Sequence, residues 1–156
     1  MKRRLGVISD THGLLRPEAL HALRGSDVII HAGDIGSSEV LRSLEKLAPV
    51  LAVRGNNDRG PWAKDLPLRE SLELGPASIY VLHDVNELDL DPRVAGFSVV
   101  IAGHSHQPRS EERDGVLFFN PGSAGPRRFR LPISVGKILI DGARVSGLLE
   151  TLEIPR

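Results

Sequence analysis

The stretch that decides the fold runs from Val99 to Pro108 and reads VVIAGHSHQP. Its first half is an apolar run typical of a buried strand, and its second half carries two of the six histidines of the chain. Strand side chains alternate between the two faces of a sheet, so His104 and His106 are expected to point the same way. Two imidazoles that converge at a strand end predict a ligand pair for a metal ion. A polar turn that closes the strand is the alternative for this stretch taken alone.

Polar residues also follow the other apolar runs of the chain. Runs over 5–9, 28–30, 50–53 and 77–82 are each followed by aspartate, asparagine or histidine. The full set of strand-end residues is Asp10, His12, Asp34, Asn56, His83, His104 and His106. Ligands of open α/β sheets bind at the carboxyl ends of the strands. Taken alone, Asp10 and Asp34 could cap helices, Asn56 could be a turn residue and His83 could be bonded to backbone. The five runs together predict one functional site.

The order of elements in the first third of the chain predicts an α/β fold. Strands over 5–9, 28–30 and 50–53 alternate with helices over 16–24 and 37–48. A strand–helix–strand alternation implies parallel strands with right-handed crossovers. We therefore expect the three strands to lie parallel in one sheet.

The rest of the chain changes to a pattern of β-hairpins. Strands over 66–74 and 77–82 flank a turn at Gly75-Pro76, and Asp141-Gly142 is a strong signal for a second hairpin turn. The remaining predicted elements are a short helix over 91–95 and strands over 97–102, 116–119, 133–141 and 144–154. Parallel α/β structure followed by antiparallel strands predicts two sheets packed face to face, with helices outside.

Composition narrows the class of protein. The chain has 156 residues, enough for one compact domain, predicted over 1–156, with its own hydrophobic core. Its 20 Lys and Arg balance its 20 Asp and Glu, so a nucleic-acid partner is not indicated. No stretch reads as a membrane span or a signal peptide, so a cytoplasmic location is expected. The chain has no cysteine, so any metal must be held by His, Asp, Glu or Asn.

The series of motifs resembles the calcineurin-like metallophosphoesterase superfamily, and within it the small YfcE-type phosphodiesterases of bacteria and archaea. The motifs are, in order, Asp10-x-His12, Gly33-Asp34, Gly55-Asn56-x-Asp58, His83, Gly103-His104-x-His106 and Asn120-Pro121-Gly122-Ser123. The resemblance implies a four-layer αββα sandwich of two mixed β-sheets flanked by helices. It also implies a divalent-metal-dependent phosphoesterase that acts on a small phosphorylated substrate, with phosphodiester hydrolysis favoured.

Carried over residue by residue, the resemblance implies two divalent metal ions. One ion would be held by Asp10, His12, Asp34 and His106. The other would be held by Asp34, Asn56, His83 and His104, with Asp34 bridging the two. Mn²⁺ is favoured, with Ni²⁺, Zn²⁺ or Fe²⁺ as alternatives, because mixed carboxylate and imidazole ligands suit all four. Two such ions about 3.5–4 Å apart can share a hydroxide that attacks phosphorus in line. The catalytic residues implied are Asp34, Asn56, His104 and Asn57.

Other polar residues are predicted to surround these ligands. Asp58 is expected to support a ligand through an outer hydrogen bond, and His31 is expected to play an outer or structural role. One of Arg127, Arg128 and Arg130 is expected to contact the substrate, because guanidinium groups bind phosphate through two hydrogen bonds. A solvated surface loop is the alternative for these arginines.

Two positions depart from the family pattern. Asn57 stands where many members carry histidine, and an amide can hydrogen-bond phosphate but cannot act as a general acid. Asp84 follows His83 where members usually carry glycine, and its charge favours a monoanionic diester over a dianionic monoester. A phosphomonoesterase or nucleotide hydrolase at the same site is the first alternative. A non-catalytic protein-interaction scaffold of this fold is disfavoured because all seven ligand positions are intact. The sequence is compatible with a homo-oligomer.

Overall fold

The structure, a computed structural model, describes residues 2–155, so Met1 and Arg156 at the ends of the predicted domain lie outside the described residues. The strands of this part are β1 Lys2–Ile8, β2 Val28–His31, β3 Val50–Ala52, β4 Arg69–Leu74, β5 Ala77–Leu82, β6 Val99–Ile101, β7 Arg109–Arg113, β8 Val116–Asn120, β9 Ser134–Asp141 and β10 Arg144–Thr151. The helices are α1 Pro17–Ala22, α2 Ser38–Glu45 and two 3-10 turns at Pro61–Ala63 and Val85–Glu87.

The first sheet has the strand order β10-β9-β1-β2-β3. Strands β1, β2 and β3 are parallel, which confirms the prediction from the strand–helix alternation. The β9–β10 hairpin, with its turn at Asp141-Gly142, pairs antiparallel with β1 on the other side. Both α-helices pack on the outer face of this sheet, where buried side chains such as Leu23 and Leu44 join Ile29 in one apolar cluster.

The second sheet has the order β4-β5-β6-β8-β7. The predicted β4–β5 hairpin is present, and β5, β6 and β8 run parallel. Strand β7 is antiparallel to β8 and was missed by the sequence analysis. Its sequence, RSEER, has no apolar residue and only its central residue is partly buried, because it is an edge strand. Charged edge strands resist pairing with other chains and carry no hydrophobic pattern that would reveal them.

The predicted helix over 91–95 is wrong. The chain forms turns there. The Ala95 N–H donates to the Asp91 carbonyl, as in one turn of a helix, but Gly96 adopts a φ of +89° and ends the helical turn. A 3-10 turn lies earlier instead, where the Asp84 carboxylate accepts a hydrogen bond from the Asn86 N–H. The strands expected over 66–74, 97–102 and 144–154 are shorter in the structure, although the backbone N–H groups of Ala102 and Leu152, just beyond the ends of β6 and β10, still donate to the Phe119 and Ile133 carbonyls.

The two sheets face each other across a core of aliphatic side chains, with Phe119 as its aromatic member. The outer face of the second sheet is covered by Leu88, Leu90 and Phe97, which lie in loops. Within residues 2–155 no α-helix covers that face, so this outer layer of the sandwich is thin. The two mixed sheets and the flanking helices nevertheless confirm the predicted fold class. No helix in the described part is long and apolar enough to cross a membrane.

Candidate metal centre

The candidate ligands lie where the carboxyl ends of strands from both sheets meet. Backbone hydrogen bonds connect these ends: the Asp10 N–H donates to the Gly33 carbonyl at 3.0 Å, and the Gly103 N–H donates to the His83 carbonyl at 2.9 Å. One bond crosses from sheet to sheet, since the His104 N–H donates to the Asp10 carboxylate at 3.0 Å. The strand-end residues predicted from the sequence therefore share one site.

Backbone strain is concentrated among these residues. Five of the seven predicted ligands adopt positive φ angles between +47° and +69°: Asp10, His12, Asp34, His104 and His106. Within residues 2–155, the only other non-glycine residues with positive φ are Asp114 and Phe129. This conformation costs about 1–3 kcal/mol for such a residue and persists where function needs the geometry.

The positive φ angles also overturn the first expectation for the two histidines of the GHSH stretch. Strand β6 ends at Ile101, so the alternation of a strand does not extend to the histidines. His106 turns toward Asp10 and His12, whereas His104 turns toward Asp34 and His83. The two imidazoles therefore join different groups of potential ligands, which is the division that the family resemblance implies.

The first group consists of Asp10, His12 and His106, whose ligand atoms lie within 4.8 Å of one another. Asp10 Oδ1 is 3.5 Å from His106 Nε2 and 3.9 Å from His12 Nε2. The two imidazole rings are stacked, with their centroids 5.5 Å apart. One carboxylate oxygen and two imidazole nitrogens thus converge on one point.

The second group consists of Asp34, His83 and His104, again within 4.8 Å. His83 Nε2 is 3.2 Å from Asp34 Oδ2 and 3.3 Å from His104 Nδ1. His83 Nδ1 lies 2.7 Å from the Ala32 carbonyl, which can only accept, so Nδ1 carries a proton and Nε2 faces the group. Such an outer hydrogen bond is how proteins orient metal-binding histidines. Asn56 lines the same cavity as His83 and His104.

Asp34 lies between the two groups. Its Oδ2 is 3.2 Å from His83 Nε2 and 3.8 Å from His12 Nε2. Asn57 holds this carboxylate from the other side: its backbone N–H donates to Oδ1 at 2.9 Å, and its side-chain amide donates to Oδ2 at 3.1 Å. The side chain of Asn57, predicted to be catalytic, is thus hydrogen-bonded to the Asp34 carboxylate.

The donor set fits divalent metal ions. Asp10 Oδ1 is buried and has no hydrogen-bond partner among the described residues, although three imidazole Nε2 atoms lie within 4 Å of it. A buried carboxylate oxygen without a donor is costly unless a cation completes its surroundings. Burial raises the pKa of Asp10, and the hydrogen bond from Ser9 opposes this rise. Carboxylate and imidazole ligands without thiolate suit Mn²⁺, Fe²⁺, Ni²⁺ and Zn²⁺.

In the absence of a metal ion, protonated His83 and ionised Asp34 form an ion pair in the second group. Burial lowers the pKa of His83, but its contacts with Asp34, the Ala32 carbonyl and Asp10 outweigh burial and raise the pKa to about 9. Burial alone would raise the pKa of Asp34, yet hydrogen bonds from His83 and Asn57 hold it below the usual range. The site therefore stabilises positive charge beside the Asp34 carboxylate, and a cation that binds there replaces the imidazole proton.

Gly103 allows the two sheets to approach at the site. A Cβ at this position would lie 1.9 Å from Ser9 Oγ and 2.7 Å from Asp10 Oδ2. Gly103→Ala is therefore expected to lower the free energy of unfolding by about 1–3 kcal/mol, through overpacking, and to displace Asp10. Urea denaturation of the metal-free protein measures the loss, and Ser9→Gly in the same chain is expected to restore part of it. Unchanged stability of Gly103→Ala would show that the strand ends are further apart.

His31 does not face the ligands but ties two strand ends together. Its Nδ1 accepts a hydrogen bond from the Gly33 N–H at 3.1 Å, so its proton resides on Nε2. Nε2 then donates to Thr11 Oγ1 at 3.0 Å, and the Thr11 hydroxyl donates to the Ile35 carbonyl at 2.7 Å. Burial lowers the pKa of His31 to about 3, so the ring is neutral in the folded protein. The hydrogen bonds of His31 to Gly33 and Thr11 fit the structural role expected from the sequence.

The neutral state of His31 predicts a loss of stability in acid. The unfolded chain binds a proton at His31 below its ordinary pKa of 6.5, whereas the folded chain does not until about pH 3. Stability that is fully present above pH 6.5 is therefore lost as the pH falls, by up to about 1.4 kcal/mol per pH unit. Urea denaturation between these limits is expected to show a steeper pH dependence for the metal-free wild type than for His31→Gln. Equal slopes would contradict a neutral buried His31.

Asp58 supports the loop after β3 through the backbone. Its Oδ1 accepts from the Gly36 N–H at 3.0 Å and its Oδ2 accepts from the Gly55 N–H at 2.9 Å. These bonds hold the loop that carries Asn56 against the loop that carries Asp34. Asp58 therefore fixes the position of the loop through backbone N–H groups. The expected hydrogen bond from a ligand side chain to its carboxylate is not made among the described residues.

The arginines predicted to meet substrate lie in an exposed loop over 126–130. Gly125, just before it, packs against the Asp10 and Thr11 carbonyls, so the loop starts at the site. Burial lowers the pKa of His106, Asp10 opposes this, and the charge of Arg128 adds to the lowering. Arg128 is thus the one of the three arginines whose charge acts on a residue of the first group. No contact places the side chains of Arg127 or Arg130 at the ligands within the described chain.

Several supporting residues were missed by the sequence analysis. The Ser9 hydroxyl donates to Asp10 Oδ2 at 2.7 Å, and the Ser123 hydroxyl donates to the Asp10 carbonyl at 3.0 Å. The Asn120 amide donates to the Gly103 carbonyl at 2.9 Å. Asn120 and Ser123 belong to the Asn-Pro-Gly-Ser motif, and these hydrogen bonds show that the motif supports the backbone around Asp10 and Gly103.

Comparison with known proteins gives a family match over most of the chain. The family model for the calcineurin-like phosphoesterase superfamily domain matches residues 3–142. The chain is 37% identical over 153 residues to a probable metallophosphoesterase of Methanothermobacter thermautotrophicus, covering 90% of this chain and 88% of the relative. It is 31% identical over 138 residues to a phosphodiesterase of Methanocaldococcus jannaschii, covering 76% and 82%.

A solved structure shares the fold. Vacuolar protein sorting 29 from Cryptosporidium parvum superposes with a TM-score of 0.84 at 21% identity, covering 97% of this chain and 92% of that one. At this identity the similarity concerns the arrangement of the strands alone.

Proposed function

The chain belongs to the calcineurin-like phosphoesterase superfamily, and on that premise we propose that it hydrolyses small phosphodiesters with two divalent metal ions. One observation carries the proposal: two groups of ligand atoms, each within 4.8 Å, meet at the Asp34 carboxylate. A carboxylate shared by two ligand groups suits a pair of ions that lie close enough to act on one phosphoryl group.

The proposed ligands divide as the resemblance implies. Asp10, His12 and His106 would hold one ion, His83, His104 and Asn56 would hold the other, and Asp34 would serve both. Mn²⁺ is the proposed ion, because it accepts carboxylate, amide and imidazole ligands together. When bound, such ions supply an activated water and positive charge for the phosphoryl oxygens.

The residues of the chain set the geometry for this chemistry. Asn57 fixes both oxygens of Asp34, and the hydrogen bond to the Ala32 carbonyl keeps Nε2 of His83 directed at the site. An amide stands at position 57 and cannot give a proton to the leaving group. We therefore expect substrates whose leaving group departs without a general acid from this position.

The charge around the site favours a diester. Asp84 Oδ2 lies 3.7 Å from His104 Nε2, so a carboxylate stands beside the second ligand group. A dianionic monoester would meet more repulsion from this group than a monoanionic diester. The phosphodiesterase among the relatives supports the same preference.

The cytoplasmic location expected from the sequence stays a prediction.

The test compares bis-p-nitrophenyl phosphate with p-nitrophenyl phosphate. Metal-stripped protein is assayed alone and after addition of Mn²⁺, Ni²⁺, Zn²⁺ or Mg²⁺. The proposal expects no turnover without metal and faster turnover of the diester with Mn²⁺. Faster turnover of the monoester would assign the site to a phosphomonoesterase. Bound metal without turnover of either compound would favour the protein-interaction scaffold.

A further inference from the structure

A cavity of about 640 Å³ adjoins the second ligand group. It is lined by His83 and His104 from that group, and also by Arg54, Arg59 and Leu68. The proposed reaction uses none of these last three residues. With this volume, the cavity is large enough to take a part of the substrate that lies beyond the reacting phosphate.

The charges of Arg54 and Arg59 are not paired inside the protein. Among residues 2–155 no carboxylate oxygen lies within 4 Å of either guanidinium group, whereas Arg69 in the same cavity pairs with Asp89 and donates to the Glu87 carbonyl. Arg54 is half-buried and Arg59 is exposed, and an arginine in a half-buried position is less favourable without an anion. An anion from outside the chain would complete its surroundings.

The acidic residues that line the cavity do not neutralise these arginines. Both oxygens of Asp58 accept hydrogen bonds from backbone N–H groups. Asp84 accepts from the Asn86 N–H with one oxygen and faces His104 with the other. Glu87 is exposed to solvent. Arg54 and Arg59 therefore have no ion-pair partner within 4 Å among the described residues.

We propose that Arg54 and Arg59 form a subsite for a second phosphate group on the substrate. The substrate would then be a phosphodiester with one arm that ends in an additional phosphate. Two guanidinium groups match the dianionic charge and the oxygen geometry of a terminal phosphate. Leu68, which is 60% exposed, offers an apolar contact for the part of the arm between the two phosphates. The inference rests on the proposed function and specifies its substrate class.

The test uses two substrates with the same reacting diester. They are thymidine 5′-(p-nitrophenyl phosphate) and the same compound with a 3′-phosphate, both assayed with the Mn²⁺-loaded protein. We expect the 3′-phosphate to lower KM about ten- to a hundredfold, the range of a hydrogen-bonded ion pair. Arg54→Gln and Arg59→Gln are each expected to remove most of this advantage. Both variants should leave the KM for the compound without the 3′-phosphate nearly unchanged.

Arg144→Gln is the matched control, because this exposed arginine lies on β10 outside the residues that line the cavity. It should keep the full advantage of the 3′-phosphate. Equal KM values for the two substrates in the wild type would overturn the subsite. So would an equal loss for both substrates in Arg54→Gln, since the arginine would then act on the reacting phosphate.

A second measurement separates this inference from the proposed function. Calorimetry compares the binding of thymidine 3′,5′-bisphosphate with that of thymidine 5′-monophosphate, and needs no turnover. Tighter binding of the bisphosphate, lost in Arg54→Gln, would uphold the subsite even if bis-p-nitrophenyl phosphate were not hydrolysed. Equal binding would reject the subsite even if hydrolysis occurred.

Discussion

Asp34→Asn is expected to abolish phosphodiester hydrolysis while the fold persists. Oδ2 of Asp34 lies within 4 Å of His83 in one ligand group and of His12 in the other, and at 3.2 Å its contact with His83 is the shorter of the two. A neutral amide there weakens both proposed metal sites at once. Because loss of an outer partner of a ligand already costs 10–100-fold, we expect kcat/KM for bis-p-nitrophenyl phosphate to fall more than about 1000-fold.

The controls for this variant separate metal loss from unfolding. Asp65→Asn changes an exposed carboxylate outside both ligand groups and should retain the activity of the wild type. Circular dichroism should show that Asp34→Asn keeps its secondary structure, and metal analysis should show less than one bound ion per chain. Full activity of Asp34→Asn with metal bound would contradict the bridging role.

His104→Ala is expected to leave one metal ion per chain instead of two. The substitution removes the imidazole of the second group but keeps the backbone N–H that supports Asp10, so the first group stays intact. We expect activity to fall more than about a hundredfold, because the pair of ions acts as a unit. Calorimetric titration with Mn²⁺ measures the stoichiometry.

The matched control is His21→Ala, since His21 is exposed on α1 and outside both ligand groups. It should bind two ions and keep its activity. If His104→Ala still bound two ions, the second group would not include this histidine. If it bound none, the two groups would not be separate sites.

The strand ends were the most predictable part of the molecule. Short apolar runs followed by Asp10, Asp34 or His83 placed the three residues at the carboxyl ends of β1, β2 and β5. Parallel strands bring such ends to one edge, so the sequence order alone indicated a shared site. The hairpin turns at Gly75-Pro76 and Asp141-Gly142 were also confirmed, because turn chemistry is local.

Features that depend on distant contacts could not be predicted. The directions of His104 and His106 follow from positive φ angles, and His104 is held by the carboxylate of Asp10, 94 residues away in the chain. The edge strand β7 has no hydrophobic pattern, because one side of it has no neighbour. In both cases tertiary structure determines a local conformation that the local sequence does not reveal.

The roles of the outer residues were equally hidden. Asn57 binds the Asp34 carboxylate and Asp58 binds two backbone N–H groups, although both belong to the same motif as Asn56. A single arginine beside a strand end, such as Arg54, carries no signal in the sequence that would mark it as a binding residue. Its position in a cavity without an anionic partner only becomes evident once the second sheet is in place.

The measurement that tests the dinuclear centre most directly is a titration of metal-free protein with Mn²⁺, followed by hydrolysis of bis-p-nitrophenyl phosphate. The protein concentration is kept well above the dissociation constants, so that added metal is bound. For a dinuclear centre we expect no hydrolysis before metal is added and an increase that is complete at two equivalents per chain. Hydrolysis by the metal-free protein, or full activity at one equivalent, would contradict it.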